Sequence, residues 1–126
     1  MTNLTYVSVR KTFGPTVALE GLDLDVKQGE LISLLGPSGC GKTTALRIAA
    51  GFEFADSGAV MVANADITRT PAHKRNMGMV FQSYSLFPNL TVAKNVEFGL
   101  RTRKLDGGER HRRVAEMLEL VQLTHL

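Results

Sequence analysis

Short segments of alternating hydrophobic and polar residues dominate the first part of the chain. Residues 4–10 are rich in valine, tyrosine and threonine, which predicts a β-strand. Residues 22–27 alternate leucine and valine with aspartate and lysine, a pattern typical of a half-buried strand, and Gln28-Gly29 ends it. After the turn ADSG, residues 59–63 predict a further short strand. The chain therefore begins with a predicted β segment.

Two apolar runs have the length of a strand but lack this alternation. The first, LISLL, covers residues 31–35, and the second, MGMVFQ, ends at Gln82. Strands that are covered on both faces in the middle of an α/β sheet have this composition. Both runs are therefore predicted to be buried strands.

Helical periodicity marks three other segments. Residues 43–50 are rich in helix-forming residues and are followed by Gly51. Thr91 is a candidate N-cap for a helix that runs to about Arg101. A last helix is predicted over residues 109–123 because four apolar residues recur at helical spacing. These residues are Val114, Met117, Leu118 and Val121. Residues 66–76 and 83–90 are predicted loops.

Composition and charge exclude several classes of protein. The 126 residues are 44% hydrophobic and 21% charged, which is ordinary for one modest globular domain. The net charge of +3 is compatible with nucleotide binding without requiring DNA. Cys40 is the single cysteine, so an internal disulfide is excluded and a reducing compartment fits. The sequence contains neither a membrane-spanning run nor a signal-peptide pattern.

The stretch LLGPSGCGKTT contains the pattern G-x-x-x-x-G-K-[ST], which describes a loop that wraps a polyphosphate. A predicted strand precedes this loop and a predicted helix follows it, which is the context that the motif requires. Lys42 is expected to reach the β- and γ-phosphates, Thr43 to bind Mg²⁺ and Thr44 to meet the α-phosphate. The residues predicted to bind the nucleotide from this stretch are Gly36, Ser38, Gly39, Cys40, Gly41, Lys42, Thr43 and Thr44.

Several stretches together resemble the N-terminal half of an ABC transporter ATP-binding subunit. They are KTFG, LDLDVKQGELISLLGPSGCGKTTALRIAAGF and GMVFQSYSLFPNLTVAKNVEFGL, and the resemblance covers nearly the whole chain. It implies an α/β P-loop NTPase core with an N-terminal antiparallel β segment and the start of a helical subdomain. The chain is then one partial nucleotide-binding domain, with a boundary near residues 87 and 88. The resemblance is greatest to importers of polyamines, iron and maltose, and polyamines are favoured.

The resemblance also implies roles for individual residues. Phe13 matches the aromatic residue that stacks on adenine. Gln82 matches the glutamine that meets Mg²⁺ beside the γ-phosphate, so Lys42 and Gln82 are the expected catalytic residues. Tyr84, Phe87 and Leu90 match the surface on which a membrane permease docks. The implied ligands are ATP and Mg²⁺, and the implied partners are permease subunits and a second ATP-binding subunit. Such proteins lie on the cytoplasmic face of the membrane, and closure of their ATP-bound dimer drives transport.

The family pattern continues into a signature LSGGQ, a Walker B Asp-Glu and a switch histidine, none of which is found here. Phosphoryl transfer needs a metal-holding aspartate and a group that orients water. The chain is therefore expected to be a truncated half that binds nucleotide without hydrolysing it. In the family, the strand beside the P-loop strand comes from the absent part. An unpaired edge of this kind predicts marginal stability or aggregation.

Three other functions fit the sequence less well. An ABC-type ATPase of DNA repair would show a long coiled coil, whereas the helices here are short. A small-molecule kinase would usually carry the P-loop on its first strand, whereas two predicted strands precede the loop here. A non-hydrolysing nucleotide-binding remnant would agree with the absence of Walker B.

For several residues, a purely structural role is the alternative to a functional one. Phe13 and Phe87 could be core aromatics, and Gln82 could be a solvated loop residue. Cys40 could simply present a backbone N–H, or the helix N-terminus could make its thiol redox-sensitive. The basic residues are predicted to form a solvated helix face, and the histidines to lie at the surface. The basic residues are Arg101, Arg103, Lys104, Arg110, Arg112 and Arg113, and the histidines are His73, His111 and His125.

Overall fold

The computed structural model describes residues 3–84, 86–103 and 105–125. Four strands, three α-helices and one short 3₁₀ helix occur in this part of the chain. In chain order they are β1 (Leu4–Phe13), β2 (Thr16–Val26), α1 (Lys42–Ala50), β3 (Ser57–Val62), β4 (Ala65–Asp66), the 3₁₀ helix (Ala72–Lys74), α2 (Val92–Thr102) and α3 (Gly107–Leu120). The chain divides into two compact units, Met1–Met79 and Val80–Leu126.

The first unit contains an antiparallel sheet with the strand order β2-β1-β3-β4. Tyr6 of β1 pairs with Leu24 on one side and with Val60 on the other. The polar and apolar alternation of residues 22–27 appears as alternating exposed and half-buried positions along β2. The three predicted strands of this segment are confirmed with different bounds. β1 begins at Leu4 as predicted and continues to Phe13, whereas β2 and β3 begin earlier than predicted, at Thr16 and Ser57, and each ends one residue earlier, at Val26 and Val62.

Helix α1 supplies the other side of the core of the first unit. Ala45, Ile48 and Ala49 of this helix are buried in one cluster with Tyr6 and Val9 of β1. The Tyr6 hydroxyl donates a hydrogen bond to the carbonyl oxygen of Ala45 at 2.9 Å. The core therefore fixes α1, which begins at the P-loop, against the N-terminal sheet.

Arg75 holds the other end of α1, a contact that the sequence did not indicate. Its guanidinium is buried and donates to the carbonyl oxygens of Ile48 and Ala49 at 2.6 and 2.8 Å. It also donates to the carbonyl oxygens of Thr70 and Thr68. The last carbonyls of a helix lack partners within the helix, and a cation there is favoured by the helix dipole. Arg75 therefore caps α1 at its C-terminal end.

Both apolar runs that predicted buried strands are irregular in the structure, so these two predictions are wrong. Leu31 and Leu35 are each 92% exposed and Val80 is 83% exposed, although Leu34 packs against the core. Apolar composition favours burial, but a strand also needs a neighbouring strand to bond its backbone. The sheet of the first unit ends at β2 and β4, so it does not include residues 31–35.

The second unit contains the two helices predicted near the C-terminus. Thr91 caps α2 as predicted, since its hydroxyl accepts a hydrogen bond from the backbone N–H of Lys94. Helix α3 begins before residue 109 because the Asp106 carboxylate accepts from the N–H of Gly108 and forms an N-cap. In the predicted apolar stripe, Val114 and Leu118 are buried, whereas Met117 and Val121 are exposed, and α3 ends before Val121.

We expect the stability of the first unit to fall at alkaline pH because of Tyr6. Burial raises the pKa of Tyr6 from 10.0 to about 12, so the folded state favours the neutral phenol. The resulting stabilisation is complete below pH 10.0 and is lost as the pH rises through about 12. The loss is about 3 kcal/mol in free energy of unfolding. Chemical denaturation at a series of pH values measures it.

The Tyr6→Phe variant is the test of this assignment. It should cost about 1 kcal/mol at neutral pH through the lost hydrogen bond, and its stability should no longer carry the alkaline loss. Tyr84→Phe is the matched control because Tyr84 is exposed. An unchanged alkaline loss in the Tyr6→Phe variant would show that another group titrates.

Candidate nucleotide-binding site

The P-loop connects the irregular residues 31–35 to the first residue of α1. Gly41 is the N-cap of α1 and has a left-handed conformation with φ 92°. A Cβ atom at Gly41 would lie 2.3 Å from the carbonyl oxygen of Ala18 and 2.8 Å from Cδ2 of Leu19. Glycine is therefore required at this position both by its backbone conformation and by the close approach of β2.

The N-terminus of α1 is open to an anion. No side chain caps it, and its first turn contains no acidic residue. The first N–H groups of a helix lack partners within the helix and carry the positive end of its dipole. Thr43 is exposed in this turn and Thr44 is half-buried beside it. This geometry is that of a phosphate site at a helix N-terminus.

Lys42 brings a positive charge to the same loop. Its Nζ donates hydrogen bonds to the carbonyl oxygens of Gly36 and Pro37, both at 2.7 Å, and approaches Sγ of Cys40 at 3.3 Å. A Cβ atom at Gly36 would lie 2.7 Å from the same sulfur atom. The structure therefore brings Lys42, Gly36 and Cys40 together in one loop. Ser38 and Gly39 form the exposed turn of this loop.

Phe13 lies at the end of β1, and its side chain is about half exposed. The ammonium group of Lys11 lies 5.1 Å from the centroid of its ring. This exposure argues against the interpretation of Phe13 as a core aromatic. Adenine stacking by Phe13 stays a prediction, because an exposed ring is available for stacking but does not by itself identify a ligand.

A polar network fixes the end of β1 that carries Phe13. Lys11 pairs with Glu53 at 2.9 Å and with Asp56 at 3.2 Å. The Asp56 carboxylate also accepts from the hydroxyl and the N–H of Thr12, both at 2.7 Å. These hydrogen bonds lower the pKa of Asp56 to about 2, and the bond from the Thr12 hydroxyl has the largest effect. The network is therefore retained in the folded protein until the pH falls toward that value.

The other predicted site residues belong to the second unit. Gln82 is exposed, and its assignment to the site stays a prediction. Tyr84 is exposed, Leu90 is half-buried and Phe87 is partly exposed. The Phe87 ring packs on Phe98 of α2 with their centroids 4.5 Å apart. The Phe87 side chain therefore packs against α2 and is also partly accessible to solvent.

The carboxylates of the second unit engage its basic residues. Arg110 pairs with Glu97 at 3.2 Å, and Arg112 and Arg113 both pair with Glu109. The pairs of Arg112 and Arg113 lie within α3 and agree with the predicted solvated face, whereas the half-buried Arg110 joins α3 to Glu97 of α2. Lys104 lies outside the described residues. His73, His111 and His125 are exposed.

The described residues contain neither a metal-binding cluster nor a membrane-spanning helix. Nowhere in residues 3–84, 86–103 or 105–125 do three or more histidine, cysteine, aspartate or glutamate residues form a cluster that could hold a metal ion. The helices in these same ranges are too short or too polar to span a bilayer.

The fold and the loop define a P-loop nucleotide-binding protein with an N-terminal antiparallel sheet. Among known families, the family model described as ABC transporter matches residues 19–126. The chain belongs to the ABC transporter family. The resemblance and the fold class predicted from the sequence are thereby confirmed.

The curated relatives are ATP-binding proteins of bacterial importers. The chain is 56% identical over 108 residues to the spermidine/putrescine import ATP-binding protein PotA of Thermobifida fusca, covering 86% of this chain and 28% of that protein. It is 49% identical over 121 residues to the sulfate/thiosulfate import ATP-binding protein CysA 2 of Chromobacterium violaceum, covering 96% and 33%. The chain thus spans about a third of the length of these relatives.

Solved structures give the same fold. A dimeric structure of MJ0796, described as a bacterial ABC transporter cassette, has a TM-score of 0.83 and 31% identity, over 94% of this chain and 57% of that one. A dimeric post-hydrolysis state of the same cassette, bound to ADP and Pi, has a TM-score of 0.81 and 32% identity over the same shares.

Proposed function

We propose that this chain binds ATP as part of the ATP-binding subunit of an ABC importer. The observation that carries the proposal is the P-loop, where Gly41, Lys42 and the uncapped N-terminus of α1 form one phosphate-binding surface. A structural relative with this fold is described as bound to ADP and Pi, which supports a nucleotide as the ligand. Phe13 provides an exposed ring for the adenine base.

Mg²⁺ is the proposed metal, held by the Thr43 hydroxyl and the Gln82 side-chain oxygen together with the phosphates. When bound, it neutralises charge on the phosphate oxygens. Thr43 is exposed on the first turn of α1, which fits this role. The assignment of Gln82 depends on its position in the family pattern.

The proposed partners are a membrane permease and a second ATP-binding subunit. The curated relatives are described as import proteins, and structural relatives are described as dimeric. Tyr84, Phe87 and Leu90 form the proposed permease-docking surface, because aromatic side chains are enriched at the centres of protein interfaces. The subunit would then lie at the cytoplasmic face of the membrane. A polyamine is the proposed solute, as in the relative from Thermobifida fusca.

We expect the chain by itself to bind ATP without hydrolysing it. Hydrolysis needs a carboxylate or an equivalent group to orient water beside the γ-phosphate. In the described part of the first unit, each carboxylate bonds or pairs with a group outside the P-loop. These residues are Glu20, Asp23, Asp25, Glu30, Glu53, Asp56 and Asp66.

Titration with a fluorescent ATP analogue in the presence of Mg²⁺ tests the proposal. The unmodified chain should bind, and Phe13→Ala should weaken binding about tenfold, since stacking of a base on an aromatic ring contributes roughly 1–3 kcal/mol. Val17→Ala is the control, because Val17 is comparably exposed on the neighbouring β2. Unchanged affinity in the Phe13→Ala variant would remove Phe13 from the site. No binding by the unmodified, folded chain would overturn ATP as its ligand.

A further inference from the structure

The loop that precedes α2 is held by one side chain from the second turn of that helix. The carboxamide oxygen of Asn95 accepts a hydrogen bond from the N–H of Phe87 at 2.8 Å. Its Nδ2 atom donates toward the carbonyl oxygens of Phe87, Leu90 and Thr91 at 3.2, 3.2 and 3.0 Å. One side chain thus contacts the backbone at both ends of the segment 87–91.

This arrangement suits a carboxamide. The oxygen accepts from one N–H while a separate nitrogen atom donates to carbonyl oxygens. A serine hydroxyl can also donate and accept, but it has a single oxygen atom and one hydrogen, whereas asparagine is the shortest side chain that places a donor and an acceptor on two different atoms. Aspartate has the same shape but places a second acceptor among three carbonyl oxygens. Alanine leaves the N–H of Phe87 without this partner. The contacts therefore specify asparagine at residue 95 on chemical grounds.

Exposed apolar side chains lie in the segment 87–91 and immediately before it. Phe87 is exposed, although its ring also packs against Phe98 of α2, and Leu86 precedes the segment and is exposed as well. A backbone fixed before binding reduces the conformational entropy that is lost when a partner docks. Fixing the backbone of this segment therefore favours a partner that contacts these side chains.

We propose that Asn95 is a positioning residue for permease docking, acting by holding residues 87–91 in their binding conformation. The inference rests on the proposed function, in which this surface meets a membrane permease. Asn95 itself does not need to touch the partner. Its effect reaches the permease through the backbone of Phe87 and Leu90.

The decisive experiment measures binding of the subunit, as its gene encodes it, to the transporter's permease in lipid nanodiscs. Asn95→Asp should weaken this binding about tenfold or more, a factor that corresponds to 1.4 kcal/mol. Its affinity for an ATP analogue should stay within about twofold, because the Asn95 side chain bonds to Phe87, Leu90 and Thr91 of its own unit. Thr91→Ala is the matched control, since it removes the N-cap of α2 but leaves the Asn95 side-chain contacts in place.

The Tyr84→Ala variant tests the permease-docking surface independently of Asn95. Weaker binding by Tyr84→Ala with normal binding by Asn95→Asp would overturn the role of Asn95 and leave the docking surface in place. Normal binding by Tyr84→Ala and by Asn95→Asp would overturn the docking surface as well. Equal weakening by Thr91→Ala and Asn95→Asp would show that loss of helix stability, and not positioning, is responsible.

Hydrogen exchange gives a second measurement if the Asn95→Asp variant does not fold. In the Asn95→Ala variant, the amide of Phe87 should exchange about tenfold faster or more, since it loses its acceptor. The amide of Asn95, which donates to the carbonyl of Thr91 within the helix, should keep its protection. Unchanged protection of Phe87 would show that the clamp is absent in solution, and the inference would fail.

Discussion

The Arg75→Met variant is expected to lose about 4 kcal/mol in free energy of unfolding. Arg75 is 8% exposed, and its guanidinium donates to four carbonyl oxygens, two of them at the C-terminal end of α1. Methionine fills a similar volume but donates no hydrogen bonds, so these buried oxygens lose a partner. Each buried polar group left without a partner costs about 1–3 kcal/mol. Chemical denaturation of the protein as its gene encodes it measures the loss.

Two further variants make the prediction specific. Arg75→Lys keeps the charge but has no planar fork, so it should recover about half of the loss. Arg47→Met is the matched control, because Arg47 is exposed in the last turn of the same helix and should change stability by less than about 0.5 kcal/mol. If Arg75→Met and Arg47→Met had the same stability, the capping of α1 by Arg75 would be refuted.

Gly41→Ala is expected to weaken ATP binding at least about a hundredfold, the largest effect on the site. The new Cβ atom would lie 2.3 Å from the carbonyl oxygen of Ala18, and the backbone φ of 92° is unfavourable for alanine. Both β2 and the start of α1 would have to move, and the loop N–H groups would lose their common direction. Titration with a fluorescent ATP analogue, together with circular dichroism of the variant, measures the effect.

Gly39→Ala separates strain from crowding in this loop. Gly39 has a similar φ of 83°, but a Cβ atom there would meet nothing within 4 Å. Only the cost of the left-handed conformation remains, about 1–2 kcal/mol, so binding should weaken about tenfold. Equal affinities of the two variants would show that the approach of Ala18 to Gly41 does not matter.

The segment 87–91 and the start of α2 contain one residue whose role was predicted from the sequence and one whose role was not. Thr91 was predicted as the N-cap of α2 from its residue type and position, and the structure confirms it. Asn95 lies four residues further along, and no sequence pattern marked it, because its contacts depend on the path of the preceding loop. The structure shows that Asn95 is a polar residue at a half-buried helix position, and this burial could not be read from the sequence.

Features that depend only on neighbouring residues could be predicted from the sequence. Local periodicity predicts the alternation of exposed and half-buried side chains in residues 22–27. Backbone requirements predict the P-loop before α1 and the end of α1 at Gly51. Family membership also follows from the sequence, since the family model matches residues 19–126, a range that contains both the P-loop and the stretch LFPNLTV.

Features that require a partner distant in the chain depend on the tertiary structure. Residues 31–35 are apolar enough for a buried strand, yet the four-stranded sheet does not include them. The capping of α1 by Arg75 joins residues 26 and 27 positions apart, and the crowding at Gly41 comes from Ala18. Periodicity reports which side chains favour burial. Which backbone groups and surfaces meet them is determined by long-range packing, since hydrogen bonds and close contacts need both partners in place.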